Sequence, residues 1–170
     1  MSEVWKTIVG YENYQVSSHG RVLNTYTNRI LKPLGNKNGY LYISLCKEAI
    51  QKFYLLHRLV ARSFLENPQN KRCVDHINKV KSNNNVSNLR FATHSENAQN
   101  VGTRRRKKSS SIYKGVAYHK PSKKFIAYIN LEGTRYNLGS YRNEIDAGRA
   151  YNEKALELFG QYANLNIIEI

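Results

Sequence analysis

Apolar and polar residues alternate through most of the first 55 positions, in short runs broken by turn-forming clusters. "YQVSSHGRVLN" predicts a strand, a Ser-Ser-His-Gly turn and a second strand. "LGNKNGYLYISL" predicts an Asn-Gly turn. After it Leu41, Ile43 and Leu45 face one side and Tyr40, Tyr42 and Ser44 the other. The period then changes. In "LLHRLVARSFL" a helical stripe gathers Leu56, Leu59, Val60, Ser63 and Phe64, with Arg58 and Arg62 on another face, and "ENPQN" ends it. Two short apolar approaches follow, one ending in Asp75-His76 and one spanning Leu89 to Ala92, separated by an asparagine-crowded loop. "THSEN" has the spacing of a capping box, Thr93 to Glu96, and predicts a helix start.

Beyond residue 111 the pattern predicts three strands and a helix. Turns are expected at Lys120–Lys123 and at Glu132-Gly133. In the middle strand Phe125, Ala127, Ile129 and Leu131 share one face, and Lys124, Ile126, Tyr128 and Asn130 the other. In the third, Tyr136 and Leu138 point inward, Arg135 and Asn137 outward. Asn143 is a suitable N-cap and Gly160 a stop. Ala147, Ala150, Tyr151, Ala155, Leu158 and Phe159 form the apolar stripe between them. The fold class expected is α+β, built from small modules. These are a strand-rich arm over 1–56, a core over 57–103, a basic linker over 104–111 and a sheet-plus-helix domain over 112–170.

Charge sharpens this division. The 170 residues carry 27 Lys+Arg against 12 Asp+Glu, a net charge of +15, which points to a polyanionic partner. A ribosomal-type basic protein would share that composition, but 13 tyrosines call for folded cores. Residues 104–143 hold 11 bases and one acid, residues 144–170 two bases and five acids. The cationic surface of the last domain is therefore its sheet, and its helix is acidic. Arg104, Arg105, Arg106, Lys107 and Lys108 form a tether suited to phosphate contacts. Cys46 and Cys73 are isolated in sequence, form no Cys-x-x-Cys, and are expected to be small buried hydrophobes in a reducing compartment. With no signal-like N-terminus and no membrane-length apolar run, a soluble intracellular protein is expected.

Cutting a phosphodiester at neutral pH requires a base for water, a cation against the phosphate, and groups holding both. His76 can accept a proton near pH 7. Asp75 and Asn97 offer oxygen ligands of the kind Mg²⁺ takes. Asp75 and His76 are chain neighbours, so both reach one site only where the strand ends or bends. An asparagine-rich loop, taken alone, is also what a series of turns looks like.

The order Asp75-His76, then Asn88-Leu89-Arg90, then Ser95-Glu96-Asn97 resembles the HNH nucleases of the phage and intron homing type, over about residues 57–100. Asn88 and Asn97 follow His76 by 12 and 21 residues. The resemblance implies two strands and a helix around one divalent metal, with His76 as general base and Asp75 and Asn97 as ligands of Mg²⁺ or Mn²⁺. It also implies that the Asn88 oxygen orients the His76 ring. His57 is shared too, with a structural role expected on its helix. Lys79 and Val80 depart from the glycine and polar residue usual in relatives, which puts the loop conformation in question. "WKTIVGYENYQVSSHGRVLN" looks like the DNA-binding motif that precedes many such cores, and bracing of the core is an equal reading of it.

Over 109–167, "YKGV", "LGSY", "AGRAYNEKALELFG" and "LN" resemble the APETALA/ethylene-response-factor domain. That likeness implies double-stranded DNA read from the open sheet face by Lys114, His119, Lys124, Tyr128, Asn130, Arg135 and Asn137. Ile126, Tyr128, Asn130 and Ala117 stand where arginine is frequent, which implies a looser or different sequence preference. Together these readings lead to an expected metal-dependent DNA endonuclease, a nicking monomer with no protein partner and no membrane. The alternative is a DNA-binding regulator with an inactive nuclease core.

Overall fold

The computed structural model describes residues 2–100, 110–131 and 133–168. The chain divides into two compact units, one ending at His94 and the other beginning at Ser95. No helix among the described residues is long and apolar enough to cross a membrane.

In the first unit β1 (Trp5–Ile8), β2 (Tyr11–Ser17), β3 (Val22–Asn24) and β4 (Arg29–Ile30) form an antiparallel sheet in chain order. A second sheet joins β5 (Leu34–Gly35), β6 (Leu41–Lys47) and β7 (Ile50–Leu55). The Asn36 side-chain oxygen closes its first turn by accepting the N–H groups of Asn38 and Tyr40, and Gly39 supplies a φ of 84°. α1 (Leu56–Phe64) follows without a side-chain cap and with no acid in its first turn. Nine residues are too few for an independent helix, so its apolar face must hold it. That face is buried: Leu56, Leu59 and Val60 pack with Ile8, Tyr14, Val16, Val22, Ile43, Leu45 and Leu89 in one cluster. Residues on both sides of position 56 share this cluster, so the arm and the core read from sequence do not have separate hydrophobic cores.

β8 (Cys73–His76) and β9 (Leu89–Ala92) form a two-stranded antiparallel ribbon, with Asp75 opposite Arg90 and His76 opposite Leu89. α2 (His94–Asn100) begins directly after Thr93. Of the two cysteines only Cys73 is buried, with its Sγ 3.3 Å from His94 Nδ1. Cys46 is exposed, because alternation along β6 buries Ile43 and Leu45 and turns residue 46 outward.

The second unit contains β10 (Val116–His119), β11 (Lys124–Leu131), β12 (Thr134–Tyr141) and α3 (Glu144–Phe159). The three strands are antiparallel and in chain order. Asn143 caps α3 by accepting the Asp146 N–H at 2.7 Å, and Gly160 ends it at φ 48°. Ala147, Tyr151 and Ala155 meet Val116, Ala127 and Ile129 across the layer. Tyr136 differs from expectation. Its register opposite Ile129 puts it on the inner face, yet it stays 47 % exposed on the edge strand, beyond a bulge at Ala127/Tyr128.

Candidate active site

The ribbon β8–β9 solves the problem posed by adjacent Asp75 and His76. β8 ends at His76, and the chain turns there: Ile77 N–H donates to the Asn88 carbonyl, and Lys79 N–H to that of His76. Both residues are 5 % exposed. The Nε–H and Nη2–H of Arg90, the cross-strand partner, converge on Asp75 Oδ2 at 2.9 and 2.7 Å. This charge-assisted contact fixes the carboxylate in place.

His76 meets a side chain that the sequence reading did not single out. Its Nε2 lies 3.1 Å from the Asn84 side-chain oxygen, while the Asn84 amide donates to the Ser82 carbonyl at 3.2 Å. Asn88 is buried nearby, but its oxygen accepts the Asn78 N–H at 2.9 Å and its amide donates to the Asn83 carbonyl at 2.8 Å. The side chain expected to face the imidazole thus ties together the loop that carries Asn84. Burial holds His76 below the usual histidine range, against the opposing pull of the Asn84 hydrogen bond and the Asp75 charge. A neutral ring at pH 7 is the form that accepts a proton.

The loop itself bears on the departure at Lys79. Its φ is 66°, in the left-handed region that glycine occupies without cost. Lys79→Gly is therefore expected to raise stability by about 0.5–1 kcal/mol, the relief of strain exceeding the added chain entropy. Chemical denaturation of the two proteins checks this.

His57 is 4 % exposed on α1, with its ring 5.0 Å from that of His76 and 5.2 Å from Tyr40. Its Nδ1 is buried without a hydrogen-bond partner. Burial first, then the charges of His76 and Arg58, push its pKa down to about 4 from 6.5. Below pH 6.5 the unfolded chain takes up a proton that the folded ring refuses, so the stabilisation is complete above that pH. It is lost as pH falls toward 4. A decline of about 3 kcal/mol across that window is expected in urea titrations, and His57→Phe should remove most of it.

A cleft of about 570 Å³ lies between α1, the 67–72 segment and the ribbon. Arg58, Arg62, Lys71 and Arg72 line it beside Val74 and Phe91, with no carboxylate among the lining residues. Arg58 and Arg62 reach it from the helix that carries His57.

The remaining sequence-derived residues fall in the second unit or outside the described residues. Asn97 lies in α2, in its second-unit part. Arg104 to Lys108 are outside the described residues. By register, His119, Lys124, Tyr128, Asn130, Arg135 and Asn137 share the sheet face opposite α3. There the Arg135 guanidinium stacks 4.2 Å from the centre of the Tyr128 ring. Lys114 does not join them: its Nζ donates to the Gln99 carbonyl at 2.9 Å and lies over the Tyr151 ring.

Residues 54–99, which contain the whole ribbon and its loop, match the family model of the HNH endonucleases, and residues 3–46 match the NUMOD4 motif. The chain is 41 % identical over 101 residues to DNA endonuclease I-HmuI of Bacillus phage SP01, covering 59 % of this chain and 58 % of that one. It is 42 % identical over 105 residues to an uncharacterised HNH endonuclease, L247, of Acanthamoeba polyphaga mimivirus, covering 59 % and 26 %. A second mimivirus relative, L245, is 40 % identical over 85 residues, half of this chain and 26 % of that one. The chain thus spans about a quarter of the mimivirus relatives. A solved structure of I-HmuI, described for DNA binding and cleavage, matches with a TM-score of 0.56 and 29 % identity over 92 % of this chain and 91 % of that one.

Proposed function

We propose that the protein is a metal-dependent endonuclease of the homing type that hydrolyses phosphodiester bonds in double-stranded DNA. The carrying observation is the buried Asp75–His76 step at the end of β8, with Asp75 held by Arg90 and His76 met by Asn84. In this reading His76 takes the proton of the attacking water. The Asn88 amide, by bracing the 78–83 segment, keeps the loop beside it in register.

In this reading Asp75 offers a carboxylate and Asn97 an amide oxygen, ligand types that a hard divalent cation takes. When bound, Mg²⁺ or Mn²⁺ would offset charge on the phosphate. The carboxylate-free cleft with its four cations is suited to the DNA backbone.

The sheet face of the second unit opposite α3 supports the likeness to the APETALA/ethylene-response-factor domain. Lys124 and Arg135 provide charge, and His119, Tyr128, Asn130 and Asn137 hydrogen-bonding groups. One base and one metal make one active site, so a monomer nicks one strand per binding event. Supercoiled plasmid with Mg²⁺, with and without chelator, tests the proposal. Metal-dependent conversion to the open circle is expected. Retarded mobility without cutting would leave the DNA-binding regulator in its place.

A further inference from the structure

The hairpin between β2 and β3 is built against the loop of the HNH core. Ser17 Oγ accepts the N–H groups of Arg21 at 2.9 Å and His19 at 3.3 Å, and Gly20 N–H donates to the Ser17 carbonyl at 3.0 Å. Ser18 Oγ accepts the Val4 N–H at 3.0 Å, and the Ser18 carbonyl accepts the Val86 N–H at 2.8 Å. The last bond ties the hairpin to the segment that follows Asn84. Ser17 and Ser18 are both buried, so these bonds are shielded from water and costly to break.

Gly20 closes the turn at φ 80°, and a Cβ there would lie 2.8 Å from Asn84 Cβ and 2.9 Å from the Asn84 carbonyl oxygen. The glycine is thus required twice, by its backbone conformation and by the close approach of residue 84. Asn84 in turn is 4 % exposed and points its side-chain oxygen at His76 Nε2. Its amide donates to the Ser82 carbonyl, which settles which end of the side chain faces the imidazole. A carbonyl oxygen can only accept, so Nε2 carries the proton and Nδ1 carries the lone pair.

We propose that Asn84 is a positioning residue for His76, and that the Ser17–Gly20 turn of the NUMOD4 region holds Asn84 in place. The turn then acts as a brace that selects the Nε2–H tautomer of the catalytic imidazole. Its catalytic consequence rests on the endonuclease reading above, and its geometric content does not.

Gly10 makes the control possible. It has the same φ of 80° with nothing within 4 Å of an added Cβ. Gly10→Ala therefore carries the left-handed strain alone, and Gly20→Ala the strain plus the collision with residue 84. The experiment records the His76 ring nitrogens by ¹⁵N NMR in the full chain, with single-turnover nicking of plasmid and binding to a short duplex alongside. Wild type, Gly10→Ala and Asn84→Asp, which keeps an oxygen at the same place, are expected to show the Nε2–H tautomer. Asn84→Ala and Gly20→Ala are expected to show a tautomer mixture and roughly 10- to 100-fold slower nicking, with duplex affinity within about twofold of wild type.

A wild-type tautomer in Asn84→Ala would overturn the assignment of Asn84. Equal ring spectra for Gly20→Ala and Gly10→Ala would overturn the brace. Should Gly20→Ala not fold, the pair Asn84→Ala and Asn84→Asp still decides the assignment of residue 84. A wild-type protein that nicks nothing removes the endonuclease reading, while the ring spectra continue to test the brace.

Discussion

Replacing His76 by alanine is expected to slow DNA nicking at least ~100-fold while leaving duplex affinity nearly unchanged, because general-base action contributes about 10²–10⁴ in rate. The separation of the two effects follows from position. His76 is buried at the end of β8, whereas the cations suited to phosphates line the cleft at Arg58, Arg62, Lys71 and Arg72. Removing the imidazole takes no charge from that cleft. Nicking by His76→Ala at the wild-type rate would exclude the imidazole from the reaction. Lost binding and lost cutting together would make its role structural.

Arg90→Ala is expected to lower stability by about 3–5 kcal/mol, the usual cost of leaving one member of a buried ion pair behind. The side chains of Arg90 and Asp75 are 12 % and 7 % exposed, and two N–H groups converge on one carboxylate oxygen. Arg90→Lys should recover only part of the loss, because a single ammonium lacks the planar pair of donors. Urea denaturation of the wild type and both variants measures this. A change below 1 kcal/mol in Arg90→Ala would mean that Asp75 is well satisfied without its cross-strand partner.

Much of the fold was legible in the sequence because period and turn chemistry agreed. The β2–β3 hairpin, the Asn36–Gly39 turn, α1 and the strand–strand–strand–helix of the second unit all stand where the pattern put them. β7 carried no comparable signal: its first four residues are exposed, so no apolar alternation marks them. The merged core was not legible either, since a cluster joining Val16 to Leu89 is a contact between distant segments. At the site, Asp75, His76 and Asn88 stood out by type and interval. Asn84 did not, because it is one of three consecutive asparagines, Asn83 to Asn85, and only the fold turns one of them toward the imidazole. Arg90 could have been found. Pairing Asp75 with the strand after the loop places an arginine directly opposite it. Lys79 shows the reverse case, a missing glycine read as a possible change of loop, where lysine simply adopts the glycine conformation.

The endonuclease proposal calls for a divalent cation, with Asp75 and Asn97 as its proposed ligands. Mn²⁺ binding followed by electron paramagnetic resonance, with the protein on a non-cleavable duplex, tests this most directly. One tightly held ion per chain is expected in the wild type and in His76→Ala, and none in Asp75→Ala or Asn97→Ala. Undiminished binding in both Asp75→Ala and Asn97→Ala would contradict it.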